Sequence, residues 1–120
     1  MEDAWFTDFA DELARCLLDA EASAEACEHL LDAARSSSDP EVQQTAVDVL
    51  VAPAAMARVL IELIDHPPRL VLAACRLYHD SAATAVERLE VLGPRLDSGQ
   101  AIAALRKAGV SCERLLEAAA

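Results

Sequence analysis

"SDPEVQQTAVDVLVAPAAMARVLIELIDH", residues 38 to 66, carries a proline in the middle of a helical pattern, and the fold depends on what that proline does. Asp39 can cap a helix, Pro40 suits the first helical position, and Ser38 with Glu41 has capping-box spacing. The helix that starts there is expected to run to about residue 51. Pro53 cannot donate to the turn before it, so it is expected to open a fresh helix, with Met56, Val59, Leu60, Leu63 and Ile64 as one apolar stripe.

Reading outward in both directions gives the same rhythm. Upstream, Trp5, Phe9, Leu13 and Leu17 follow at four-residue steps, and a second helix over about 24–35 uses Ala26, Cys27, Leu30, Leu31 and Ala34. Downstream, Pro67 and Pro68 start a helix, Asp80 or Ser81 can cap the next, and Gly93-Pro94 ends it. Asp97 with Gln100 can cap a further helix ending at Gly109, and Ser111 can cap a last short one. No segment fits the two-residue period of a strand. The expectation is an all-α chain of seven to eight short helices.

Composition agrees. The 120 residues suit one domain with a real core, and with four aromatics (Trp5, Phe6, Phe9, Tyr78) that core must be filled by Ala, Leu and Val. The net charge of −11 is uneven: residues 1–50 hold 13 acidic and 2 basic side chains, residues 51–120 hold 8 of each. Such an excess repels nucleic acid and anionic lipid and attracts a basic surface. Asp48, Arg58, Glu62 and Asp65 interrupt the most apolar region, so no membrane span is expected. The first residues, "MEDAWFTDFADEL", are acidic where an export signal is basic, and Cys16, Cys27, Cys75 and Cys112 read as reduced thiols packed as small apolar residues in a cytoplasm.

Internal similarity is also present. "PRL" at 68–70 recurs at 94–96 and "ERL" at 87–89 recurs at 113–115, both 26 residues apart. Units over 38–66, 67–92 and 93–120 follow, preceded by an acidic helix pair at 1–37, all within one helical domain spanning 1–120. "SDPEVQQTAVDVLVAPAAMARVL" and "DHPPRLVLAACRLYHDSAATAVERL" resemble units of HEAT-like helical arrays, nearest to the bacterial leucine-rich-repeat variant, over residues 38–92. Asp39-Pro40, Val42, Ala46, Pro53 and Leu60 carry the resemblance, as do Pro68, Leu70, Ala74, Ser81 and Leu89; Gln43 stands where a basic residue is usual. It implies stacked antiparallel pairs, an α-solenoid presenting a binding surface. A globular helical bundle is the alternative.

Candidate sites are few. Cys75 and His79, four apart, share one side of a helix, but Cys75 falls at the margin of the apolar face (Leu70, Val71, Ala74, Leu77, Tyr78) and the other cysteines lack paired metal-ligand spacing, so no metal and no cofactor are expected. His66 and His79 would stand roughly 20 Å apart along a helix, too far to share anything. No phosphate loop, nucleophile elbow or zinc-protease motif is present, which points away from an enzyme. "AGVS" at 108–111 offers the turn of a helix-turn-helix, with Arg106, Lys107 and Arg114 nearby, but Glu113 and Glu117 face outward on the would-be reading helix.

The function expected is therefore a non-enzymatic protein-interaction module whose acidic first half engages a basic protein, as an immunity protein, antitoxin or inhibitor would. A self-associating adaptor of death-fold type, forming a homo-oligomer, is one alternative, and a small helical DNA-binding regulator is another. Arg58, Glu62, Glu87 and Arg88 are the expected contact residues, each off its helix's apolar stripe, with Trp5 and Phe9 as candidate aromatic anchors.

Overall fold

The computed structural model describes the backbone from residue 2 to 120 and side chains from Asp8 onward. Four long helices account for nearly all of it: α1 (Glu2–Arg35), α2 (Pro40–Glu62), α3 (Pro68–Leu92) and α4 (Gly99–Ala119), with single 3-10 turns at Leu63–Asp65 and Gly93–Arg95. The all-α expectation is met; the count of seven to eight is corrected to four.

Pro53 explains one of the four breaks that the helices run through. It sits inside α2 rather than at a helix start, and its ring is fully buried. Proline in a helix interior costs about 3 kcal/mol against alanine. Here the apolar stripe continues on either side, with Val49, Leu50, Ala54, Ala57 and Leu60 all buried, so packing of the whole helix outweighs the lost hydrogen bond. The other expected breaks are crossed for comparable reasons. Nothing in "AEASAEA" (20–26) stops α1, and Ala20, Ser23 and Ala24 are buried there. Ser81 caps nothing; its hydroxyl donates back to the Tyr78 carbonyl at 2.9 Å within α3. Ser111 likewise spends its hydroxyl on the carboxylate of Asp19, across on α1, while α4 runs on through Gly109.

Where the chain does turn, the signals act as read. Oδ1 of Asp39 accepts from the backbone N–H groups of Glu41 at 3.0 Å and Val42 at 3.4 Å, with Pro40 first in α2. Pro68 opens α3. Gly93 closes it at φ +57°, a left-handed conformation in which a side chain would be strained.

Each helix meets its two neighbours: α1 packs on α2 and α4, and α3 packs on α2 and α4. This is a closed ring of antiparallel helices, the helical-bundle alternative rather than a stack of pairs. Each of the units 38–66, 67–92 and 93–120 holds one helix, but α3 and α4 start 31 residues apart, and "PRL" opens α3 at 68–70 while it lies in the link before α4 at 94–96. Arg95, in the α3–α4 link, forks onto Asp39 at 2.6 Å and Glu41 at 3.3 Å, which ties the two links at that end together. The interior is built from Ala, Leu and Val as composition requires, and Phe9 and Tyr78 are also buried in it.

Candidate metal centre

Four cysteines point into this ring, and all four are 0 % exposed. Three of them meet. Sγ of Cys16 (α1) lies 3.7 Å from Sγ of Cys75 (α3) and 3.5 Å from Sγ of Cys112 (α4), and Cys75 and Cys112 are 3.5 Å apart. Three helices thus each deliver one sulfur to a single point. Cys75 is not at the margin of the apolar face, as its helix alone suggests, but at the centre of the bundle.

The triangle is nearly equilateral. The point equidistant from its corners lies about 2.1 Å from each sulfur, and a zinc–thiolate bond is about 2.3 Å. A small outward movement of the sulfurs, or a small displacement of the ion from their plane, completes a three-sulfur coordination. Among the described residues the three thiols are the one group of His, Cys, Asp and Glu ligands close enough to share an ion. They offer soft donors and no oxygen.

The protons of the three thiols are coupled through these contacts. The contacts with Cys112, to which Cys75 donates, and then with Cys16 pull the Cys75 thiol below the ordinary range against the opposing effect of burial, and the nearby His79 acts in the same direction. Cys112 is driven the other way by its bonds to Cys16 and Cys75 and by burial. Metal binding at such a trio exchanges thiol protons for the ion. The fourth thiol differs: burial, with Glu28 adding a like charge, pushes Cys27 up to about 12, and none of the three joins it.

Polar groups flank the trio on three sides. Between α1 and α4, one turn beyond Cys16, the largely buried Asp19 carboxylate accepts from Ser111, and Lys107 stands 3.8 Å from it. Between α3 and α4, His79 Nε2 lies 2.9 Å from Glu113 Oε1, and His79 Nδ1 is 3.6 Å from Asp80. On another side the Tyr78 hydroxyl meets Ser23 Oγ at 2.5 Å, and Ser23 itself donates to the Ala20 carbonyl at 2.8 Å. Burial, opposed by that Ser23 bond, pushes the Tyr78 phenol up.

The expected partner-contact residues do not converge in this way. Arg58 is engaged by Glu28, whose carboxylate takes three hydrogen bonds from its guanidinium at 3.1 to 3.3 Å. Glu62, Glu87 and Arg88 are exposed on α2 and α3, and no ion pair joins them among the described residues. Phe9 is buried at 8 % exposure, whereas the side chains of Trp5 and Phe6 lie outside the described residues. No helix among the described residues is long and apolar enough to cross a membrane.

Sequence reasoning placed Cys75 and His79 together and missed Cys16 and Cys112, because the three sulfurs are 59, 37 and 96 residues apart in pairs. A signal was present. Cys75 stands 18 residues before Gly93 and Cys112 stands 18 after Pro94, so folding the chain back at that turn sets them level. Searches against protein-family models, curated proteins and solved structures each find no match for this chain.

Proposed function

We propose that this protein binds one soft, thiophilic metal ion, monovalent copper, between Cys16, Cys75 and Cys112. The observation that supports the reading is the mutual 3.5 to 3.7 Å spacing of three fully buried sulfurs drawn from three helices. Thiolates select Cu(I), zinc and iron–sulfur clusters over harder ions. Zinc in a structural site takes four ligands, and in a catalytic site three plus water. Three thiols sealed from solvent offer neither a fourth side chain nor an open position, and they match an ion content with three sulfurs. Coordination exchanges thiol protons for Cu(I), so binding releases protons to solvent.

Nothing in this reading requires turnover, so the role is holding or delivering copper. The test is an anaerobic titration of the reduced protein with Cu(I) in competition with a coloured Cu(I) chelator, alongside Cys112→Ala. The expected result is one copper per chain in the parent and none withheld from the chelator by the variant. A parent that leaves all copper on the chelator, or a Cys112→Ala protein that competes equally well, overturns the proposal. Zinc retained at one per chain through purification would replace copper as the ion.

A further inference from the structure

We infer that copper reaches the three thiols through the wall between α3 and α4, and that His79 is the relay ligand that takes the ion at the surface and passes it to Cys75. This rests on the copper reading above and adds a route to it.

Two of the three sulfurs are carried by the helices that form this wall. Cys75 and His79 are one turn apart on α3, and Glu113 follows Cys112 directly on α4, so the His79–Glu113 contact closes the seam beside two of the three sulfurs. A groove of about 400 Å³ runs along that seam, lined by His79, Ala82, Leu105, Gly109, Val110 and Glu113. Ala82, Ala83 and Gly109 are the small residues of its lining, and Ala82 is buried between the helices. His79 is half-buried, its side chain 31 % exposed, so part of the ring meets solvent.

The chemistry of the ring fits a hand-over. Glu113 accepts the Nε2–H, which leaves the lone pair on Nδ1; a carboxylate holding the far nitrogen is the usual arrangement behind a metal-binding imidazole. Imidazole binds copper, though less tightly than three thiolates, so an ion that pauses on His79 moves inward and not outward. The opposite seam, between α1 and α4, offers no such step. There Asp19 is occupied by Ser111 and Lys107, and a carboxylate is a poor ligand for Cu(I). His29 lies 13 residues along α1 from Cys16, roughly 20 Å away. His66 sits in the exposed α2–α3 link.

The experiment mixes the reduced full-length protein with Cu(I) bound to a coloured chelator and follows the loss of colour in a stopped-flow instrument, for the parent, His79→Gln and Glu113→Gln. Circular dichroism confirms that each variant remains helical. The expected result is one copper per chain at the end point for all three, with transfer in His79→Gln roughly tenfold slower, a barrier change of about 1.4 kcal/mol, and Glu113→Gln between the two. Equal rates in parent and His79→Gln overturn the relay while leaving the thiol site standing. Loss of copper capacity in His79→Gln also overturns it, since the ring would then be a permanent ligand. A parent that takes no copper removes the site itself, and the two failures are told apart by the end point.

Discussion

Cys27 and Cys112 are equally buried and carried on helices that pack against each other, yet Cys112 has two sulfurs at 3.5 Å and Cys27 belongs to no such group. The contrast teaches that burial alone assigns no chemistry to a thiol. In a bundle filled with Ala, Leu and Val, a cysteine is a small apolar residue until its level along the helix coincides with that of another. Beside Cys27, Tyr78 and Ser23 already satisfy one another. Cys112 instead meets the sulfurs of Cys16 and Cys75.

The most severe challenge to that contrast is to remove each thiol in turn. Cys27→Ala is expected to leave copper capacity at one per chain. Cys16→Ala and Cys75→Ala are expected to abolish it, as Cys112→Ala does. The readout is the shift in unfolding on adding Cu(I): an ion present at 1,000 times its dissociation constant stabilises the folded state by about 4 kcal/mol. Parent and Cys27→Ala should gain that amount, and the other variants should gain nothing. If Cys27→Ala loses the shift along with the rest, the fourth thiol belongs to the site and the comparison fails.

How much of this was legible in the sequence follows from what each signal is used for. Asp39-Pro40, Pro68 and Gly93-Pro94 mark chain reversals, and they do so by purely local means: a carboxylate over two N–H groups, a fixed φ, a left-handed residue. Pro53, Ser81, Gly109 and Ser111 look the same on paper, but their particular properties are used within helices for contacts. Pro53 fills the core, Ser81 bonds back to its own helix, Gly109 lies beside the His79 ring in the middle of α4, and Ser111 reaches Asp19 on another helix. Local pattern cannot separate the two groups, because the deciding energy comes from residues tens of positions away. The thiol trio is the extreme case. Its members share no spacing motif, and only the antiparallel ring brings them to one level.

A smaller effect probes the boundary between the two kinds of thiol. Ser23 donates to the Ala20 carbonyl, so the Tyr78 hydroxyl donates to Ser23 Oγ. Ser23→Ala leaves that phenol buried without an acceptor, and the expected loss in urea unfolding is about 1–3 kcal/mol. Tyr78→Phe should cost less, since Ser23 keeps its carbonyl, and adding Tyr78→Phe to Ser23→Ala should recover part of the loss. If Ser23→Ala costs nothing, the phenol has found another acceptor in the Cys27 layer, and that layer is less closed than the contrast supposes.

The smallest effect lies at the end of the bundle, where Arg95 meets Asp39 and Glu41. The hydrogen bond from Arg95, helped by the backbone N–H groups of Val42 and Glu41, holds the Asp39 carboxyl below its ordinary value of 3.8. A carboxyl with a lower value in the folded chain than in the unfolded chain stabilises the fold at neutral pH, and that contribution fades as pH falls below about 4. Both side chains are solvent-exposed, so the benefit is modest and is screened by salt. In Arg95→Ala the urea midpoint should therefore drop slightly at pH 7 and low salt, with the difference from the parent narrowing both below pH 4 and at high salt. Cys16 is roughly 28 Å along α1 from the helix end beside this clamp, so copper uptake should be unchanged. A variant that loses copper while its pH and salt responses match the parent would mean that the clamp sets the level at which the three sulfurs meet, and the centre would then depend on the links as well as on the walls.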